Sequence, residues 1–565
     1  MVDVLLTIFR QSCAACLLAM LSWLVAGLFV RPSRLHRLAF ASLGFLTLPS
    51  VILIALHLLR IPITSAALWL TLSAGTLLAA GAAFMRKGGQ REPTHEDTLE
   101  LRVLLPFILI LLVILFPFTP LTGIDTYKWQ DVASTVGMEK RIAWMIHPLS
   151  LLGFTPRAYP CIQPLALALI QIMGGFNLEI SFYILSLVSS CAGLLGAFLL
   201  GKKIFARPLD ARLFAVLYVF SPVFLRYNHW VIGRGVFLAI LPFLLLALTG
   251  WPRVRAIIWT FFVLLLLLAS HKTGIAAVLL LTAALPFWLL LPHRENRPVV
   301  WLCAMASLGL ALALSMRGSF APASVLKVFI YQSATRFGWH IPAAAAGIWL
   351  FRGWLDQPAW RRFFPMLCLT LPLAYAREMY GALLALPFVA MAATIGVTTA
   401  MERWPAWQSR ILWLVVILTT SGTLVIVGQR SFTAMSRDVR TAALFLNQYD
   451  PQGPLMIEAP GINRRYMQAY VAGCPRFSIT AADTSVRIAR PPAYRGDLHQ
   501  LVQDMVKYLR NFMSLEDLRT DWYGVNPRLY YVVIDGTGMR PGGTRCIYNH
   551  AKIQIYAPDG QTVPP

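Results

Sequence analysis

The chain has 565 residues, 58% of them hydrophobic and only 13% charged, with a formal net charge of +24 and a mean hydropathy of +0.64. That composition excludes a soluble globular protein and a disordered one; it is that of a polytopic membrane protein. Most Lys and Arg sit in short connectors between apolar runs, where they set topology, and with no basic-aromatic stripe present no nucleic acid is expected as a partner.

The first apolar run, 11–30, ends in Arg31-Pro-Ser-Arg34-Leu-His-Arg37. A cleavable signal peptide carries its positive charge before the apolar run and a small-residue site after it. Here the charge follows, so an uncleaved membrane helix is expected. Cys13 and Cys16 mimic a CxxC, but inside an apolar run with no ligand partners they read as helix packing.

Beyond this run the connectors alternate. Those at 31–37, 86–102, 201–212, 251–255, 292–298, 352–362 and 402–410 are basic. Those at 60–65, 120–160, 226–234, 270–273, 316–340 and 375–379 are not. This is the positive-inside pattern, and it predicts about 14 spans with the N-terminus and the C-terminal domain both outside the cytoplasm. The short spans at 213–225, 256–269 and 341–351 suggest helices bordering a cavity, and 163–175 fits a lateral or re-entrant helix.

The run 104–120 can cross a bilayer, and a polar stretch follows it: Gly123-Ile-Asp125-Thr-Tyr127-Lys128-Trp-Gln130-Asp131. A carboxylate at the mouth of a transmembrane bundle is costly to place, which marks Asp125 as a functional residue. Its alternative is an N-cap after Gly123. Asp131 is either a second active-site acid or a first-turn charge. The other acids at this face have simpler roles: Glu139 lies beside Lys140-Arg141, Glu179 opens a helix and Glu378 has Arg377 to pair with.

The cations on the same set of connectors are few. Arg226, His229 and Arg234 surround Tyr227-Asn-His-Trp230, and His271-Lys272 interrupts the apolar stretch 263–285. Arg336 and His340 close the connector 316–340, and Arg377 splits 364–394. Each alone fits a snorkelling anchor; together they suit an anionic group held at the lipid boundary, Arg by bidentate contact and Lys as a point charge.

The segment 429–565 is charged and punctuated by Pro and Gly. Helices at 437–448 and 497–512 and strands at 454–458, 476–480, 529–534 and 552–556 predict a small α/β domain. Cys474 and Cys546 could form a disulfide there; spacing alone does not bring them together.

These residues resemble the GT-C superfamily of polytopic glycosyltransferases, in a family-39-like form. The resemblance rests on Asp125 in the first large outer loop, Tyr159-Pro160-Cys161-Ile-Gln163-Pro164, Phe220-Ser221-Pro222 followed by Arg226 and Arg234, His271-Lys272-Thr273-Gly274, Tyr375-Ala-Arg377 before Leu386-Pro387-Phe388, and the segment 523–535. It covers 103–430 and the tail. It implies three regions: extra transmembrane helices at 1–102, a catalytic transmembrane core at 103–428 with its outer loop at 120–160, and an α/β extracytoplasmic domain at 429–565.

The implied activity is inverting transfer of a sugar from a polyprenyl-phosphate-linked donor to an envelope glycan, lipid or protein acceptor, at the outer face of an inner membrane. Asp125 matches the catalytic base, with Asp131 in reserve. Arg226, His271, Lys272, Arg336 and Arg377 match the lipid-phosphate ligands, with His229 and Arg234 beside them. A divalent cation, Mg or Mn, could bridge acid and phosphate. Departures are Thr126 where many family-39 members carry Asp-Glu, three spans ahead of the core, and Asp521-Trp-Tyr-Gly524, whose order differs from the Trp-Trp-Asp-Tyr-Gly motif of oligosaccharyltransferases. The rival functions are a lipid-linked polysaccharide polymerase or ligase, which would not need Asp125, and a transporter, which would carry polar residues through the midplane.

Overall fold

The structure, a computed structural model, describes residues 2–29, 33–85, 95–116, 129–130, 133–134, 136–137, 140–142, 145, 148–152, 160–175, 178–251, 253–290, 302, 305–306, 336–350, 358–375, 380–432, 437–449, 455–458, 478–480, 530–534, 544–550 and 553–558. Three long helices come first: α1 (Val2–Phe29), α2 (Arg34–Leu58) and α3 (Ser65–Met85). Apolar residues cover all sides of them, as helices meeting lipid and neighbours require. Three of their hydroxyls are satisfied inside the helix, Ser22, Thr47 and Thr76 donating to carbonyls four residues back at 2.7, 3.0 and 2.7 Å. Cys13 is half-buried as expected for packing, but Cys16 turns outward on α1.

There follow α4 (His95–Ile114), α5 (Ile162–Gly174), α6 (Leu178–Ile204), α7 (Pro208–Val219), α8 (Pro222–His229), α9 (Gly233–Leu248), α10 (Val254–Ser270) and α11 (Thr273–Leu290). The bundle ends with α12 (His340–Leu350), α13 (Pro358–Tyr375), α14 (Tyr380–Arg403) and α15 (Gln408–Phe432). Among the described residues six helices are long and apolar enough to cross a membrane, or seven if the bent pair α7–α8 is one span, and α5, α9 and α10 are shorter apolar helices. The expected count of about 14 spans also includes stretches outside the described residues, 307–315 among them.

Burial separates core from rim. Of the most apolar window of each helix, 94% is buried in α14 but only 22% in α3 and 11% in α15. Leu70, Leu77 and Leu78 of α3 and Trp413 and Leu424 of α15 are exposed, which suits helices whose outer surface is lipid.

Two short elements differ from plain spans. The stretch expected as one short span at 213–225 is broken: α7 and α8 meet at 52°. Ser221-Pro222 explains the break, because Pro222 at the first position of α8 has no N–H to continue α7 and Ser221 caps the new helix by accepting from the Phe224 amide at 3.3 Å. The expected lateral or re-entrant segment is α5, 13 residues long and almost wholly buried, ended by Gly175 at φ +89°.

Two groups of hydrogen bonds join connectors among the described residues. Arg207 bonds Asp210 at 3.1 Å and also Glu402, and Arg212 bonds Glu100 at 3.1 Å, so basic connectors 86–102, 201–212 and 402–410 meet at one end. The Ile63 amide donates to the Lys140 carbonyl at 2.8 Å, and the Ile142 amide to His57 Nδ1 at 3.2 Å, so connectors 60–65 and 120–160 also meet.

After α16 (Arg437–Tyr449) comes a five-stranded mixed sheet: β1 (Leu455–Glu458), β2 (Ser478–Thr480), β3 (Tyr530–Ile534), β4 (Thr544–His550) and β5 (Ile553–Pro558), in the order β2-β1-β3-β5-β4. β1 runs parallel to β2 and β3; β5 runs antiparallel to β3 and β4. Val439, Ala442, Ala443 and Leu446 form the buried face of α16. The expected helix at 437–448 and the four expected strands are present, and β4 is additional, masked in the sequence by its polar composition, Thr-Arg-Cys-Ile-Tyr-Asn-His. Cys546 in β4 is an exposed free thiol; Cys474 and the expected helix at 497–512 lie outside the described residues.

Candidate active site

The elements that converge at the end carrying connectors 226–234 and 270–273 are α5, α8, α9 and the α10–α11 junction. Gly233, the first residue of α9, is the point of contact. A Cβ there would stand 2.6 Å from the Ser270 carbonyl, 3.4 Å from His271 Cδ2 and 3.7 Å from Gln163 Oε1. Only glycine permits this approach.

α8 supplies Arg226 and His229 from its last turn, where a positive charge opposes the negative end of the helix dipole. Arg226 Cζ lies 4.7 Å from the Trp230 ring centroid, and Arg234 Cζ lies 5.3 Å from that of Tyr227. Both guanidinium planes are thus held against aromatic faces, and Tyr227 and Trp230 pack edge to face at 6.0 Å. Arg234 and Lys272 both act electrostatically on His271, which places three cationic or titratable side chains in one field. His271 Nδ1 accepts from the Thr273 amide at 3.1 Å, so neutral His271 carries its proton on Nε2. His229 is buried, and its Nε2 has no hydrogen-bond partner.

Two anchors fix this arrangement. Asn228 ties α8 to α6: Ser189 Oγ donates to its side-chain oxygen at 2.6 Å, and Ser186 Oγ to its carbonyl at 2.8 Å. Val231, between α8 and α9, has φ +45°, a strained conformation for a β-branched residue, and the Gln163 side-chain amide of α5 donates to its carbonyl.

α5 also reaches the acid-bearing loop. Gln171 and Gln130 exchange two hydrogen bonds, 2.8 and 2.7 Å, between buried carboxamides. Gln130 immediately precedes Asp131, so the polar stretch is tied to α5 two turns, about 12 Å, from the residue that holds the α8–α9 joint. The far end of α5 is held in turn by the N-terminal helices, with Trp69 Nε1 donating to the Met173 carbonyl at 3.2 Å.

The structure therefore links Arg226, Arg234, His271 and Lys272, the first two through the Tyr227–Trp230 ring pair and the last three through one electrostatic field, and carries His229 in the same last turn of α8 as Arg226. Arg336 and His340 flank the α7–α8 break instead: Gly338 packs against Pro222, and His340 Nε2 bonds the Leu217 carbonyl at 2.8 Å, midway along the bent pair. This sets them deeper than the end of a connector, the position expected for them. Asp125, Asp131 and Arg377 lie outside the described residues. Gln163, Gln171, Gln130, Asn228, Ser186 and Ser189 were not apparent as site residues from sequence. One available signal was the presence of two glutamines in the otherwise apolar 162–174. Among the described residues no group of three His, Cys, Asp or Glu is placed to hold a metal ion.

No family model matches the chain, and no curated protein matches it. Solved structures do. ArnT from Cupriavidus metallidurans, bound to undecaprenyl phosphate, aligns over 82% of this chain and 99% of its own, with 11% identity and a TM-score of 0.51. The Archaeoglobus fulgidus oligosaccharyltransferase, in complex with zinc and sulfate, aligns over 76% of this chain and 67% of its own at 10% identity and a TM-score of 0.46. The mycobacterial arabinofuranosyltransferase AftD aligns over 81% of this chain at 15% identity and a TM-score of 0.45, and the chain spans 40% of its length. The alignment spans nearly all of ArnT and most of this chain: this chain is a multi-pass membrane protein that shares the fold of ArnT.

Proposed function

We propose that the chain is a glycosyltransferase that moves a sugar from a polyprenyl-phosphate-linked donor to an envelope glycan, lipid or protein acceptor at the extracytoplasmic face of an inner membrane. The observation that supports the reading is the linkage of Arg226, Arg234, His271 and Lys272 around the α8–α9 and α10–α11 joints, beside α5, to which Gln130 is hydrogen-bonded. The undecaprenyl phosphate bound to ArnT supports a donor of this class.

In this mechanism the Asp125 carboxylate accepts the proton of the acceptor hydroxyl, with Asp131 as the neighbouring acid. The hydroxyl oxygen attacks the anomeric carbon, the bond from that carbon to the phosphate oxygen breaks, and the configuration inverts. The leaving group is the polyprenyl phosphate, whose growing charge the cations stabilise; a phosphate departs without a general acid. Neutral His271 donates through Nε2, while Arg226 and Arg234 are pre-oriented by their aromatic partners. Arg377 is the further phosphate ligand of this reading; Asp125 and Asp131 would be the residues to hold a divalent cation, which would supply charge stabilisation to the departing phosphate.

The test is glycan profiling of the host membrane with wild type, Asp125→Asn and a deletion, with membrane abundance measured in parallel. The expected result is a normally abundant variant that accumulates the lipid-linked sugar as the deletion does. Full activity of the variant would remove Asp125 from catalysis and the reading with it.

A further inference from the structure

A second feature lies at the opposite, basic end of the bundle. α12 and α14 touch backbone to backbone, because a Cβ on Gly347 or Gly396 would run into the carbonyls of Ala392 or Ala343. α15 does not close over this small-residue surface. It leaves an apolar groove of about 620 Å³ whose lining includes Trp339, Ala346, Gly396, Ala400, Trp404 and Trp407. The groove is at the rim, since α15 is the helix with 11% of its window buried.

We propose that this groove seats one acyl chain of an anionic phospholipid drawn from the surrounding leaflet, with Arg403 and Arg410 holding its headgroup. Length is the first argument. The α15 residues on the groove run from Ile411 to Leu418 and the turn before them adds Trp407, which together span about 16 Å along a helix. One leaflet of the hydrocarbon core is about 15 Å thick. The groove thus fits a chain that stops at the midplane, not a long polyprenyl chain.

Charge at the mouth is the second argument. Arg403 Cζ lies 5.8 Å from the Trp404 ring centroid and Arg410 Cζ 4.6 Å from that of Trp407, so both exposed cations stand on the two tryptophans that open the groove. Glu402 is the only acid in connector 402–410, and Arg207 already engages it. The mouth therefore presents net positive charge beside an apolar slot, at the depth where tryptophans sit in the interface.

The experiment is native mass spectrometry on the delipidated full chain titrated with phosphatidylglycerol or phosphatidylethanolamine of identical acyl chains. One phosphatidylglycerol should bind per chain, preferred roughly 30-fold, which corresponds to about 1 kcal/mol for each of two cations near the surface. Arg403→Gln with Arg410→Gln should abolish the preference. Ala346→Phe, which fills the groove, should remove both lipids, and Ala400→Leu should weaken both should the bulkier variant fail to fold. The proposal is overturned by equal binding of the two lipids to wild type, by a preference that survives the double Arg substitution, or by unchanged binding in Ala346→Phe and Ala400→Leu. It is equally overturned if the groove proves to be filled by a second copy, seen as dimers that Ala346→Phe separates, or by a polyprenyl phosphate that competes phosphatidylglycerol away.

Discussion

Two pairs of arginines, one at each end of the helical bundle, are held in opposite ways. At the basic end Arg207 and Arg212 are matched to carboxylates, Asp210 and Glu402 for the first and Glu100 for the second. At the other end Arg226 and Arg234 lie on aromatic rings, and the elements carrying them are fixed by neutral groups: Asn228 with Ser186 and Ser189, Gln163 with the Val231 carbonyl, and Gln130 with Gln171. A guanidinium neutralised by a carboxylate is a fastener. Arg226, held on the Trp230 ring, keeps its charge and its hydrogen-bond donors for an incoming anion. The difference teaches that substituting the carboxylate-paired arginines Arg207 and Arg212 should change stability, and substituting a ring-held cation at the other end should change chemistry at unchanged stability.

The largest effect expected on that comparison comes from the cations. Arg226→Met keeps the side-chain volume and the packing on Trp230 but removes the charge; turnover of the lipid-linked sugar should fall by about 10²–10³, the cost typical of losing one donor to a developing anion. Thermal stability in detergent should stay near wild type. A variant that melts early but, when folded, turns over normally would erase the distinction between the two ends.

The glutamine pair sharpens the same point. Gln171→Leu strands a buried carboxamide on Gln130 and should cost about 1–3 kcal/mol in stability, whereas Gln130→Leu with Gln171→Leu removes both polar groups and should recover most of it. If the pair positions the acid-bearing loop, the stable double variant still loses roughly tenfold in kcat, about 1.4 kcal/mol, with KM little changed. Recovery of kcat along with stability would make the pair a structural clasp and nothing more.

How far the sequence carried these conclusions differs between features. Spans, connector sets and the cations at 226–234 and 270–273 were legible because charge is costly in a bilayer and each Lys, Arg or Asp therefore carries information. The α7–α8 break was only half legible. Ser221-Pro222 is a start signal for a helix, yet the surrounding apolar residues read as one short span. The amide network was illegible, since Gln163, Gln171 and Asn228 acquire meaning only from partners 68, 41 and 39 residues away. Arg336 shows the opposite failure. Its connector assigned it to the end of the bundle, but Gly338 and His340 draw it along α8 to the break.

At the basic end the expected effects are smaller and fall on stability alone. Glu100 is buried against Arg212, which is one quarter exposed, so Glu100→Ala should lower stability by about 2–3 kcal/mol, somewhat less than for a fully enclosed pair, with turnover per folded molecule unchanged. Glu402 is more than half exposed, and Glu402→Ala should cost no more than about 1 kcal/mol. Arg207→Ala should cost more than Glu402→Ala, although both remove the same ion pair. Arg207 also serves Asp210, whose side chain is 10% exposed and whose Oδ1 is buried without a partner, so deleting the guanidinium strands a second carboxylate. The asymmetry is read by melting the two single variants beside Arg207→Ala with Asp210→Asn, which should recover part of the loss. Equal costs for the two single variants would mean that Asp210 draws nothing from Arg207, and that the basic end is held by its helices and not by its charges.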